Sequence, residues 1–94
     1  MRSPPPLPNE RTIARLRNAA GQTWRAYGLE RRRWMNNLVA GDLPMVRLRV
    51  EAEDAAVNLR RALRFLEMDR EEYERYMRRF GGRDAESYLK AVSE

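Results

Sequence analysis

Apolar residues in the first third of the chain return at helical intervals. Ile13, Leu16, Ala20, Trp24 and Tyr27 follow one another at steps of three or four and share one stripe of a helical wheel, with Arg11, Arg15 and Arg33 opposite. Asn9, between Pro8 and Glu10, is placed to cap the start, because its side-chain oxygen can accept from an amide that no earlier turn satisfies. Gly28 offers a stop, with Leu29 next to it for the accompanying apolar contact. The period resumes at Trp34 and Leu38, and an unbroken helix would set Arg31 inside the stripe. A buried unpaired guanidinium is costly. The pattern therefore predicts a break or kink at Gly28, or a carboxylate partner for Arg31, against the alternative of one helix over residues 9–40.

Gly41-Asp42-Leu43-Pro44 ends that region and opens the next, with Asp42 as a cap and Pro44 in the first turn. Val46 to Glu51 alternates with period two, as a strand would, but no second alternating run exists to pair with it. A helix over 43–67 is the stronger expectation; the other is a strand pairing edge to edge between two copies. Read as a helix, the segment is apolar on two sides. Leu48, Ala52, Ala55, Leu59, Leu63 and Leu66 form one stripe, and Leu43, Val46, Val50 and Val57 lie on the other. A helix with two apolar faces needs covering on both.

Asp69-Arg70-Glu71-Glu72 reads as a capping box, opening a helix that carries Tyr73, Tyr76, Met77 and Phe80 and stops at Gly81-Gly82. Asp84 is expected to cap a last short helix with Ala85, Tyr88, Leu89 and Val92 on its apolar side. The fold class is all-α: a small bundle in which a long N-terminal helix lies antiparallel to a long central one, followed by two short helices. Residues 1–8, with Pro4, Pro5, Pro6 and Pro8, read as a flexible, solvated tail, and 9–92 as one helical domain.

The run Leu63 to Tyr73 resembles the first two helices of repressor-type helix-turn-helix domains over about thirty residues. That resemblance implies that the last helix reads a DNA groove. Glu74 stands where a small residue would be needed for close packing, and the last helix offers Asp84, Glu86 and Glu94 against Lys90. Acidic side chains repel phosphates, so this helix is a poor groove reader.

Charge adds an asymmetry. The net charge is +5, and Lys90 is the only lysine among 19 cations. Residues 1–49 hold ten arginines against three acids, whereas residues 50–94 hold nine cations against eleven acids. The halves are thus expected to attract each other on packing, or the basic half to meet an acidic partner. The chain has no cysteine and no histidine, which removes disulfides, thiolate and histidine-based catalytic arrangements and Cys/His zinc sites. Glu67, Asp69, Glu71 and Glu72 lack the glycine-centred loop of a calcium hand and read as a helix cap and a solvated face. No catalytic residue, metal site or cofactor is expected, and no apolar run approaches the ~20 residues of a membrane span. The expected location is cytoplasmic, with a membrane partner disfavoured.

The most distinctive local feature is Glu30-Arg31-Arg32-Arg33-Trp34, preceded by Trp24-Arg25. Tryptophan and arginine are the residue types of protein–protein hot spots. They also suit nucleic acid, where arginine neutralises phosphate and tryptophan stacks on a base. A tryptophan on an apolar stripe is ordinarily packed, so core tryptophans with arginines solvated or paired to C-terminal acids are the competing expectation. The candidate binding set is Arg15, Trp24, Arg25, Arg31, Arg32, Arg33 and Trp34, and the candidate oligomer or partner face is Leu43, Val46, Val50 and Val57. Together these point to a non-enzymatic protein-binding module that occupies a surface of a larger partner and self-associates, a dimer being favoured. The alternative is a DNA- or RNA-binding protein using the arginine-rich half.

Overall fold

The computed structural model describes residues 5–36 and 43–93. Among these it contains four α-helices: α1 (Glu10–Met35), α2 (Leu43–Leu66), α3 (Arg70–Arg79) and α4 (Gly82–Val92). The alternating segment Val46 to Glu51 lies within α2 and is helical. The proposed turn at Gly41-Asp42 lies outside the described residues.

Two helix starts carry the side-chain caps that the sequence signals, although at Asp69 the structure shows the N-cap bond and not the reciprocal Glu72 side-chain bond of a full capping box. Asn9 Oδ1 accepts from the Thr12 amide at 2.9 Å, and Asp69 Oδ1 accepts from the Glu72 amide at 2.8 Å, each satisfying an orphan donor of a first turn. The start of the last helix differs from expectation. It begins at Gly82 with Gly81 as the flanking residue, and Asp84 falls in the first turn instead of capping it. Gly82 has φ +78°, where a side chain would be strained, so the turn is made at the glycine pair ahead of Asp84.

The break expected at Gly28 is not found: α1 is one helix of 26 residues through that position. Its premise was that Arg31 would be buried. Arg31 is exposed, so the helix continues without burying a charge.

Ile13 and Leu16 near the start of α1 share one core cluster with Ala62 and Phe65 near the end of α2. That pairing makes α1 and α2 an antiparallel hairpin. Phe65 is the hub of the core, meeting Tyr73, Tyr76 and Tyr88 edge-on at centroid distances of 5.2, 5.2 and 5.3 Å, with Phe80 at 6.5 Å. Such edge-to-face geometry suits the ring quadrupoles. Leu63 and Leu66, expected on the buried stripe, are exposed; Asn58, Ala62 and Phe65 are buried instead. One residue is a 100° step around a helix, so the buried face at this end is turned away from the stripe, toward the rings of α3 and α4.

Helix α4 lies against the hairpin. Asn58 Nδ2 donates to Ser87 Oγ at 3.1 Å, and Arg83 Nη2 donates to Asp54 Oδ2 at 3.1 Å. At the other end of α4, Arg15 Nη2 donates to the Val92 carbonyl at 3.3 Å. Residues 5–8 of the proline-rich lead-in, expected to be solvated, lie against α3: Pro8 is buried and the Tyr73 hydroxyl donates to the Pro5 carbonyl at 2.6 Å.

Candidate interaction surface

Helices α3 and α4 cover only one end of the hairpin. Beyond Ala20 in α1 and before Ala52 in α2, no described residue is buried. This uncovered half, residues 21–36 with 44–51, is a two-helix arm. It nevertheless carries large apolar side chains: Trp24 is 43% exposed, Trp34 42%, Met35 61%, Val46 45% and Val50 41%. The tryptophans are therefore not core residues. Trp24 rests edge-on against Tyr27 of its own helix, with centroids 5.8 Å apart. Trp24, Gly28, Arg31 and Met35 are spaced four, three and four apart, so they form one stripe of α1, with Arg31 solvated inside it.

The candidate binding residues separate into two groups. Trp24, Arg25, Arg31, Arg32, Arg33 and Trp34 all lie on the arm. Arg15 does not; it holds the last turn of α4, where a cation complements the partial negative charge of unsatisfied carbonyls. Arg33 pairs with Glu30 at 3.5 Å across one turn of α1, a long contact between an exposed guanidinium and a partly buried carboxylate. Arg25, Arg31 and Arg32 take part in no ion pair among the described residues.

The basic half, residues 1–49, meets the acidic half through one ion pair among the described residues, Arg49–Glu53, one turn apart within α2. Among the described residues no ion pair joins α1 to any other helix: the pairs are Arg33–Glu30, Arg49–Glu53, Arg61–Asp84, Arg70–Glu74 and Arg83–Asp54. Arg25, Arg31 and Arg32 are exposed.

On α2, Val46 and Val50 are exposed, and Val57, farther toward the core, is half-buried. Leu43 begins the helix, and its side chain lies outside the described residues. Met35 was missed by the sequence reading although it lies on the Trp24–Arg31 stripe. Also missed was the order of charges around Val50: Arg47 and Arg49 precede it, Glu51 and Glu53 follow it, and all four are exposed.

A separate open cleft of about 790 Å³ sits at the core end, lined in part by Arg61, Arg75, Arg79, Tyr76, Phe80 and Asp84. The Arg61 guanidinium stacks 4.8 Å over the Phe80 ring and reaches Asp84 at 3.7 Å, while its Nη1 is buried with no hydrogen-bond partner. Burial pushes the Tyr73 and Tyr88 phenols above their ordinary pKa, so both stay neutral near pH 7 and neither supplies a base. Among the described residues no group of three His, Cys, Asp or Glu side chains could hold a metal ion, and no helix is long and apolar enough to cross a membrane. Comparison of the chain with protein-family models, curated proteins and solved structures gives no match.

Proposed function

We propose that this chain is a non-enzymatic helical protein-binding module, of the inhibitor, adaptor or assembly-factor kind, that lays its hairpin arm on a larger protein and also self-associates. One observation carries the reading: none of the described residues in half of the hairpin is buried, yet that half presents Trp24, Trp34, Met35, Val46 and Val50. An apolar centre with a cationic rim of Arg25, Arg31 and Arg32 matches the anatomy of a protein interface and selects an acidic partner surface. If about 100 Å² remains on each tryptophan, covering the two would contribute ~5 kcal/mol before the costs of association.

The test is capture from lysate of the source cells, with and without nuclease, comparing the native chain with the Trp24→Ala/Trp34→Ala variant. A protein retained by the native chain, lost by the variant and indifferent to nuclease is the expected result. Equal retention by both chains overturns the reading.

A second reading rests on the same arm. Arg25, Arg31 and Arg32 are exposed and outside any ion pair among the described residues, beside two half-exposed tryptophans, an arrangement that suits phosphates and bases. Three phosphate contacts would give log K a slope of about −2.7 against log salt on duplex DNA. A fluorescence titration against DNA and RNA at low salt that shows no binding eliminates this reading.

A further inference from the structure

We infer that α2 pairs antiparallel with α2 of a second copy, about a two-fold axis at Val50. The inference rests on the protein-binding reading above and deepens it by naming one occupant for the α2 side of the arm. Val46 and Val50 are one turn apart and both exposed, so they present one apolar line. Leu43 and Val57 stand seven residues before and after Val50, two helical turns in each direction, which continues that line.

The flanking charges say what meets it. Arg47 and Arg49 lie three residues and one residue before Val50; Glu51 and Glu53 lie one and three after it. When two such helices run antiparallel with Val50 against Val50 of the second copy, positions 47 and 51 meet on one flank of the seam and positions 49 and 53 meet on the other. Each basic turn then meets an acidic turn, on both sides of the axis. The same register sets position 43 against position 57 and position 46 against position 54, so Val50 meets Val50 at the centre while Val46 meets the stem of Asp54, whose carboxylate is drawn off by Arg83 of its own chain. A parallel pairing puts arginine against arginine and glutamate against glutamate, and like charges repel. An antiparallel pairing centred on Val46 sets Arg47 opposite Met45 and Arg49 opposite Leu43, which abandons the charge match. A self-complementary surface is what a two-fold dimer requires.

The contacts already made within the chain leave these groups available. The Arg49–Glu53 pair at 3.1 Å is exposed on both sides, and an exposed pair one turn apart within a helix is weak enough to be shared across an interface. Asp54, by contrast, is engaged by Arg83 of α4, which places α4 along the edge of the seam between Val50 and Val57 and leaves Val46 and Val50 of the same chain exposed.

Sedimentation equilibrium over a range of protein concentrations tests the pairing. The native chain is expected to dimerise. Arg47→Glu/Arg49→Glu, which makes the seam acidic throughout, should weaken dimerisation at least about tenfold. Adding Glu51→Arg/Glu53→Arg in the same chain inverts the order of charges and should restore it. Rescue by the fourfold variant separates a lost interface from a misfolded chain. Because the chain has no cysteine, direction can be read by cross-linking. Leu43→Cys chains mixed with Val57→Cys chains should join to each other under oxidation, whereas a parallel dimer would join each variant to itself. A strict monomer, association unmoved by the charge reversals, or like-to-like cross-links would each overturn the inference. None of those results touches the tryptophan-dependent capture of a larger partner, which stands or falls separately.

Discussion

Replacing Phe65 by alanine tests where the core sits. The ring is 1% exposed and is surrounded by Tyr73, Tyr76, Phe80 and Tyr88. Truncating a buried phenylalanine to alanine costs about 3–5 kcal/mol. The edge-on contacts place this site in the upper part of that range, because a cavity among four rings deprives each of a neighbour. We expect a loss of about 4–5 kcal/mol. A chain of this length has a total stability of roughly 5–14 kcal/mol, so the variant should be marginal. The assay is urea denaturation followed by circular dichroism, with the denaturant slope compared to confirm that the unfolded state is unchanged. Leu66→Ala, one residue further along, is the control. Leu66 is 47% exposed, and its truncation should cost less than ~1 kcal/mol. If the two variants lose comparable stability, or Phe65→Ala loses less than about 2 kcal/mol, the hub is misplaced and the stripe through Leu63 and Leu66 is the core after all.

Tyr73→Phe removes the hydroxyl that donates to the Pro5 carbonyl. It should cost about 1 kcal/mol and make residues 5–8 more susceptible to limited proteolysis. Tyr73 and Tyr88 have pKa values raised by burial from an ordinary value of 10.0; the unfolded chain thus loses these protons first, and stability should be intact below pH 10 and fall as pH rises above it. Phenolate absorbance and helix content followed together in an alkaline titration check this; full ionisation of all four tyrosines in a chain that stays helical would contradict it. Gly28→Ala places a methyl group where nothing lies within 4 Å and should raise stability by about 0.5–1 kcal/mol by favouring the helix, which thermal denaturation measures. Arg61→Met removes a guanidinium with a buried, unpartnered nitrogen and a long contact to an exposed Asp84. Stability should stay within about 1 kcal/mol of the native chain or rise, and a loss above about 3 kcal/mol would show that the pair with Asp84 is strongly favourable.

Much of the fold was legible because local signals and global packing agree. Asn9 and Asp69 cap the helices they precede. The missing second strand decided the alternating segment in favour of helix, since an isolated strand has no partner for its backbone. The errors have a common source: a helical wheel shows which faces are apolar but not which neighbour covers each one. Leu63 and Leu66 looked like core because they continue the stripe of Leu59; rings arriving from α3 and α4 turned the buried face toward Phe65 instead. The Asp84 cap was displaced by Gly82, two residues earlier, whose φ of +78° lets the chain turn into the helix there.

The interaction surface was half legible for a reason that lengths make plain. Helices α1 and α2 have 26 and 24 residues, α3 and α4 only 10 and 11. At 1.5 Å per residue the hairpin is about 36–39 Å long and each short helix about 15–17 Å. Once both short helices pack around Phe65, neither is long enough to reach the far half of the hairpin. The apolar pattern does not stop where that cover stops. It runs on through Trp24 and Met35 in one helix and Val50 and Val46 in the other, and a tryptophan read from periodicity alone is assigned to a core that this chain does not extend so far. Solvation costs such a surface about 25 cal/mol for each square ångström of apolar area. A second molecule that removes it from water recovers that free energy, and the arginine-before-glutamate order around Val50 makes another copy of this chain an occupant whose charges match.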